Sequence, residues 1–296
     1  MPSDYSARIP LQLERADLKL CVDITLYWTG SLEDHAEQIL KFYQRSLQIL
    51  RQNVTHYCTE TMRRYRQADS TALEMLPFWL SSPDAKREFY SLELIAAVDP
   101  EAATDQALFF RQKSAAGALR LVLPLEYVPA SSRPLKDLTV ELVGDFAFAS
   151  GHAGYAFSLN EHDPDVSHAA RLQMYPLGMR HPGIDIPSLP SSLSCVEDGI
   201  KCINWLTLLG DTFAREFKPS EADELIAIER LPQGILIQAG PHPEMGDVNR
   251  GQLLPAYRAV GRRVAHLRAA NHPAFIVLDK VPDDDATERW LGRFDT

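Results

Sequence analysis

Residues Leu18 to Trp28 (LKLCVDITLYW) carry an apolar side chain at every second position: Leu18, Leu20, Val22, Ile24 and Leu26. A period of two sustained over such a stretch is that of a β-strand with one face buried. It therefore commits the chain to a sheet that something must cover. The cover follows at once. After Gly30-Ser31, apolar residues recur every three or four positions, at Leu32, Ala36, Ile39, Leu40, Tyr43, Leu47 and Leu50. That spacing predicts an amphipathic helix, with Ser31 as its cap, Glu33 and Asp34 at its positive end, and Asn53 as its stop.

Further strands are predicted at Val54–Thr59, Phe89–Val98, Ala107–Arg111 and Ala118–Val128, the last two joined by a turn at Ser114–Gly117. The segment PASSRP, from Pro129 to Pro134, is rich in Pro and Ser and has no large apolar residue, so it reads as an internal boundary. Beyond it the pattern predicts a helix from Leu135 to Ala149, a strand at Gly154–Leu159, and a helix from Ser167 that Pro176 and Gly178 end. A short strand is expected at Ile200–Ile203. Asn204 then caps a helix facing inward through Trp205, Leu208, Leu209, Phe213 and Phe217, with Gly210 in its middle. Strands at Ile235–Gln238 and Phe275–Leu278, a helix at Leu253–Arg268, and a helix beginning at Asp283 complete the pattern. Segregated strands and helices point to α+β architecture. The expected organisation is two lobes of mostly antiparallel sheet with flanking helices, residues 1–128 and 129–296, packed as one body.

Charge narrows the function. Forty acidic against thirty basic residues give a formal net charge of -10. Such a surface repels phosphate backbones and attracts basic partners. Met1 to Pro10 lacks the basic start and apolar run of a signal peptide, and no apolar run approaches a membrane span. The expectation is a cytoplasmic protein that binds neither nucleic acid nor membrane. The cysteines Cys21, Cys58, Cys195 and Cys202 form no C-x-x-C pair, which predicts buried thiols rather than a disulfide framework.

The sequence contains no G-x-S-x-G, Walker A, H-E-x-x-H or G-x-G-x-x-G motif. His162 and His168, interleaved with Glu161, Asp163 and Asp165, have the residue types of a metal site, and a metal-dependent hydrolase centred on them is the enzymatic reading. Helix capping explains the same carboxylates. In Arg180-His181-Pro182-Gly183-Ile184-Asp185 the proline and glycine predict a turn, with Arg180 and Asp185 pairing across it. The basic run Arg258, Arg262, Arg263 and Arg268 falls on the polar side and end of one predicted helix, which reads as a solvated face. Two acidic groups lie in predicted loops, Glu161, Asp163 and Asp165 in one, and Asp283, Asp284 and Asp285 in the other. Loops are where contacts to a basic partner concentrate.

The segments RHPGIDI (Arg180–Ile186), GIKCINWLTLLG (Gly199–Gly210), GYAF (Gly154–Phe157) and ITLYWTG (Ile24–Gly30) resemble the type VI secretion immunity family of Gram-negative bacteria, NWLTLLG being the most specific. The similarity runs from about residue 18 to about residue 280. It implies a non-catalytic protein, without cofactor or catalytic residues, that binds and inhibits a cognate secreted toxin. The implied toxin is a nuclease with a restriction-endonuclease-like fold whose DNA site is occluded. An adaptor or structural component of the secretion machine is the remaining alternative.

Overall fold

The computed structural model describes residues 17–50, 53–82, 87–128, 133–162, 164–218, 224–277 and 285–295. The opening strand β1 (Lys19–Thr29) is followed by α1 (Ala36–Leu50), β2 (His56–Thr59), β3 (Arg66–Gln67), α2 (Ser70–Ser81), β4 (Phe89–Ile95), β5 (Ala107–Lys113) and β6 (Ala116–Leu123). A single 3₁₀ turn and α3 (Arg133–Val143) lead to β7 (Ser150–Ser158), α4 (Pro164–Arg180), α5 (Leu189–Leu193), β8 (Leu206–Gly210) and α6 (Asp211–Glu216). Then come β9 (Ile226–Leu231), β10 (Gly234–Ala239), α7 (Pro255–Val264) and α8 (Ala286–Leu291).

The ten strands form one sheet in the order β3-β2-β4-β5-β6-β1-β7-β8-β10-β9, and every neighbouring pair is antiparallel. The architecture is α+β. β1 is the seam: it pairs with β6 on one side and β7 on the other. Strands from before residue 129 occupy one wing of the sheet and strands from after it the other, with α3 carrying the chain across. Alternate residues of β1 explain the two faces. Leu20, Val22, Ile24, Leu26 and Trp28 join a large apolar cluster with Ile39, Phe42 and Tyr43 of α1, Leu76 and Trp79 of α2, and Leu135, Leu138 and Leu142 of α3. Each such side chain contributes roughly 1.5–3 kcal/mol by leaving water. Cys21 and Tyr27 face the other way, into a smaller cluster with Phe109, Val122, Ala156, Leu189 and Val196.

Several expectations fail for identifiable reasons. The helix placed after Asn204 is strand β8, and only Asp211–Glu216 is helical. All five residues of β8 are buried, so the strand has no polar face and its apolar run mimics one side of a helix. Gly210 stands at the strand's end, where a Cβ would lie 1.9 Å from the Phe148 carbonyl oxygen. Pro176 and Gly178 do not end α4, which runs on to Arg180 with Ala170 and Met174 buried. The helix placed at Leu135–Ala149 ends at Val143, before Gly144 at φ +47°. Ile200 makes one bridge, to Arg268, rather than a strand. Phe275 to Val277 are not a strand either, and Leu278 lies outside the described residues. The helix placed at Leu253–Arg268 covers Pro255–Val264 and then tightens into a 3₁₀ turn. Four elements went unread: α2, which carries Pro77 inside it, the short helix α5, and the edge strands β3 and β9.

Candidate functional site

The most unusual chemistry lies beneath the seam strand, on the face away from the large apolar cluster. Asp23 projects there from the middle of β1, fully buried, and accepts from Arg120 Nε of β6 at 2.7 Å. Arg120 also donates to the Phe157 carbonyl at 2.8 Å, and its guanidinium lies 3.8 Å from the Glu161 carboxylate. Glu161 in turn faces Arg171 of α4, again at 3.8 Å. Beside this chain sits a second one. Lys201 Nζ donates to both Asp185 oxygens, at 2.9 and 2.7 Å, and to the Ile186 carbonyl at 2.8 Å. His152 Nε2 of β7 lies 3.4 Å from the same carboxylate. Burial pushes the Asp185 carboxyl up, but the Lys201 ammonium and then His152 outweigh it and hold the group below the ordinary carboxylate range.

Among the described residues, Asp23, His152 and Asp185 are the group whose ligand atoms approach closely enough to hold a metal ion. Their surroundings argue for a different role. The carboxylates of Asp23, Glu161 and Asp185 are already matched by the cations Arg120, Arg171 and Lys201. A divalent ion would add two charges to a balanced, buried set and would have to displace the Lys201 ammonium. The network is internal architecture that ties the seam strand to its neighbours. Asp23 Oδ1 nonetheless has no hydrogen-bond partner among the described residues.

Sequence reasoning missed most of this network. A charge at an inward-facing position of an apolar strand was the available signal, as at Asp23 in LCVDITL and Arg120 in ALRLVL. Of the acidic residues expected to face a partner, Glu161 instead turns its carboxylate inward, with 4% of the side chain exposed. Asp165 lies in the first turn of α4, and Asp285 is exposed at the start of α8. Asp163, Asp283 and Asp284 lie outside the described residues.

The metal reading at His162 and His168 finds no assembled ligand group among the described residues. The His162 ring packs edge-on against Tyr65 and lies 3.5 Å from Cys58 Sγ. Burial, and then Glu93, push the Cys58 thiol up to about 12, so it is not a thiolate nucleophile at neutral pH. In the RHPGID segment the turn forms as expected, but Arg180 and Asp185 part company. Arg180 makes a bidentate pair with Asp247, at 3.1 and 2.9 Å, while Asp185 goes to Lys201. His181 Nδ1 donates to the Gly246 carbonyl at 2.6 Å, and the Gly183 N–H bonds the Met245 carbonyl. A Cβ on Gly183 would lie 1.8 Å from the Glu244 carbonyl oxygen, so only glycine fits this approach. The Asp185 backbone then pairs with β7 through Tyr155 and Phe157. The motif therefore clamps the 244–247 segment to the sheet. Arg268 likewise leaves the solvated face assigned to it, pairing with Asp295 and donating to the Leu291 carbonyl.

The fold and these sites define an α+β protein in which the RHPGID and NWLTLLG segments serve architecture and the buried charges are internally matched. No helix among the described residues is long and apolar enough to cross a membrane. Comparison with known proteins supplies the class directly. The chain belongs to the TsiV family, described as type VI immunity for VRR-NUC, which it matches over residues 30–294. A solved structure of a Pseudomonas aeruginosa T6SS protein, PA0821, shares the fold, with a TM-score of 0.80 and 19% sequence identity over 100% of this chain and 92% of that one. Comparison with curated proteins returns no match.

Proposed function

We propose that this protein shields the cell that makes it by binding a VRR-NUC nuclease delivered by type VI secretion and keeping that nuclease from DNA. The observation that carries the reading is the family match across residues 30–294. The charge fits it. A nuclease must present cations to hold a phosphate backbone, and a protein of net charge -10 is drawn to that surface and speeds the encounter. The role asks for no catalytic residue of the chain's own, in keeping with a buried network that is charge-matched rather than open. The contact candidates are acids: Asp285, which is exposed, together with Asp283 and Asp284 before it in sequence, and Asp163 and Asp165. Glu161 contributes indirectly, by holding Arg120 and Arg171. The chain acts in the cytoplasm, where the nuclease meets DNA.

Co-expression tests this reading. Cells making the VRR-NUC effector encoded beside this chain should lose viability and chromosomal DNA, and adding this chain should restore both. Equal DNA loss with and without well-expressed chain would reject it.

A further inference from the structure

The two edges of the sheet are managed differently. At one end, β3 has only two residues, Arg66 and Gln67, both exposed, a short polar edge of the kind that discourages pairing. At the other end, β9 runs for six residues, pairs with β10 along its whole length, and has no strand on its outer side among the described residues. It also carries exposed apolar side chains, Ile228 at 43%, with Leu225 just before it at 48%.

The direction of its free backbone groups follows from one bond. Gly240 N–H donates to the Leu225 carbonyl, so the odd-numbered residues 225, 227, 229 and 231 turn their backbone groups toward β10. The N–H and C=O of Ile226, Ile228 and Arg230 therefore point outward. We propose that this edge pairs antiparallel with β9 of a second copy of the chain, about a two-fold axis at Ala227, so that two sheets become one.

A two-fold axis perpendicular to the sheet allows only registers in which paired residue numbers have an even sum, and the side chains choose among them. Centring on Glu229 sets that carboxylate, which Lys136 holds at 2.8 Å, against its own copy and leaves Ile228 opposite Arg230. Centring on Ile228 pairs that residue with its own copy but sets Ile226 against Arg230, twice. Centring on Ala227 places Ile226 opposite Ile228 of the second copy, twice, and brings Glu224, in the turn that leads into β9, to the level of Arg230, twice, with Leu225 at the level of Glu229. Glu224 and Arg230 are both exposed. Arg230 reaches Asp211 of its own chain, at 3.1 Å. Apolar and opposite-charge pairs of this kind are the unit from which sheets gain stability. The inference is independent of the immunity reading.

The test is the mass of the full-length chain in solution from micromolar to millimolar concentration, by sedimentation and light scattering. Twice the chain mass, with a measurable dissociation, is expected. Ile228→Pro removes an outward N–H that bonds nothing among the described residues, so it should keep the fold and weaken self-association at least about tenfold. Glu224→Arg or Arg230→Glu alone should weaken it similarly, and the two together should restore it. A monomer at every concentration, or a dimer indifferent to Ile228→Pro, would overturn the proposal. Failure of the double charge swap to restore pairing would overturn the register centred on Ala227. A monomer whose complex with the nuclease is lost on Ile228→Pro would assign the edge to that partner instead.

Discussion

The two sides of β1 are equally dry and held together in opposite ways. On one side Leu20, Val22, Ile24, Leu26 and Trp28 interdigitate with three helices, in contacts without direction that many apolar shapes would satisfy. On the other, Asp23 and its neighbours Arg120, Asp185 and Lys201 meet charge to charge, each cation holding a particular carboxylate. The difference teaches where this fold is tolerant. An apolar face loses stability in proportion to what is removed. A buried ion pair fails when either member goes, because the survivor is left charged and unsolvated.

Breaking that contrast should be easiest at Lys201. Lys201→Ala strands the Asp185 carboxylate and should cost about 3–5 kcal/mol, read as a lower urea midpoint at unchanged slope. A loss below about 1 kcal/mol would mean water reaches Asp185. Replacing both partners, Asp185→Leu with Lys201→Met, sharpens the point. The double variant should lie far closer to the parent than the single one, since paired apolar substitution of a buried ion pair is commonly neutral. Across the strand, Ile24→Val should cost about 0.5–1.5 kcal/mol, the graded response of a packed face.

Acid distinguishes the faces again. The folded Asp185 carboxyl titrates below its unfolded counterpart, so its contribution is complete above the unfolded value and drains away as pH falls below about 4. Urea unfolding at pH 3 and pH 7 should show a larger loss for the parent than for Asp185→Asn. Equal losses would place the acid sensitivity elsewhere. The smallest effect is expected at the surface: Asp285→Lys should change stability by no more than about 0.5 kcal/mol while slowing association with the nuclease.

The same two-sidedness explains what could be read from the sequence. β1 was legible because its two faces differ: the apolar residues alternate with Asp23 and Thr25, and the period survives. β8 was not, because Leu206, Leu208 and Leu209 are all buried and Thr207 is buried between them, erasing the alternation. The turn at His181–Gly183 followed from Pro182 and Gly183 alone. The partner of Arg180, however, is Asp247, 67 residues away, and no local pattern announces it. Lys201 in GIKCIN reads as an ordinary surface lysine until the chain folds it onto Asp185. Local chemistry predicted the turns and the one-sided elements. The long-range pairings that tie the seam together have no sequence signal beyond a charge in an apolar run.

The central claim concerns the nuclease, and one titration addresses it most directly: cleavage of DNA by the purified VRR-NUC effector with increasing amounts of this chain. Binding and occlusion predict a linear fall in activity that ends at one chain per nuclease. Undiminished cleavage in the presence of an excess of correctly folded chain would contradict it.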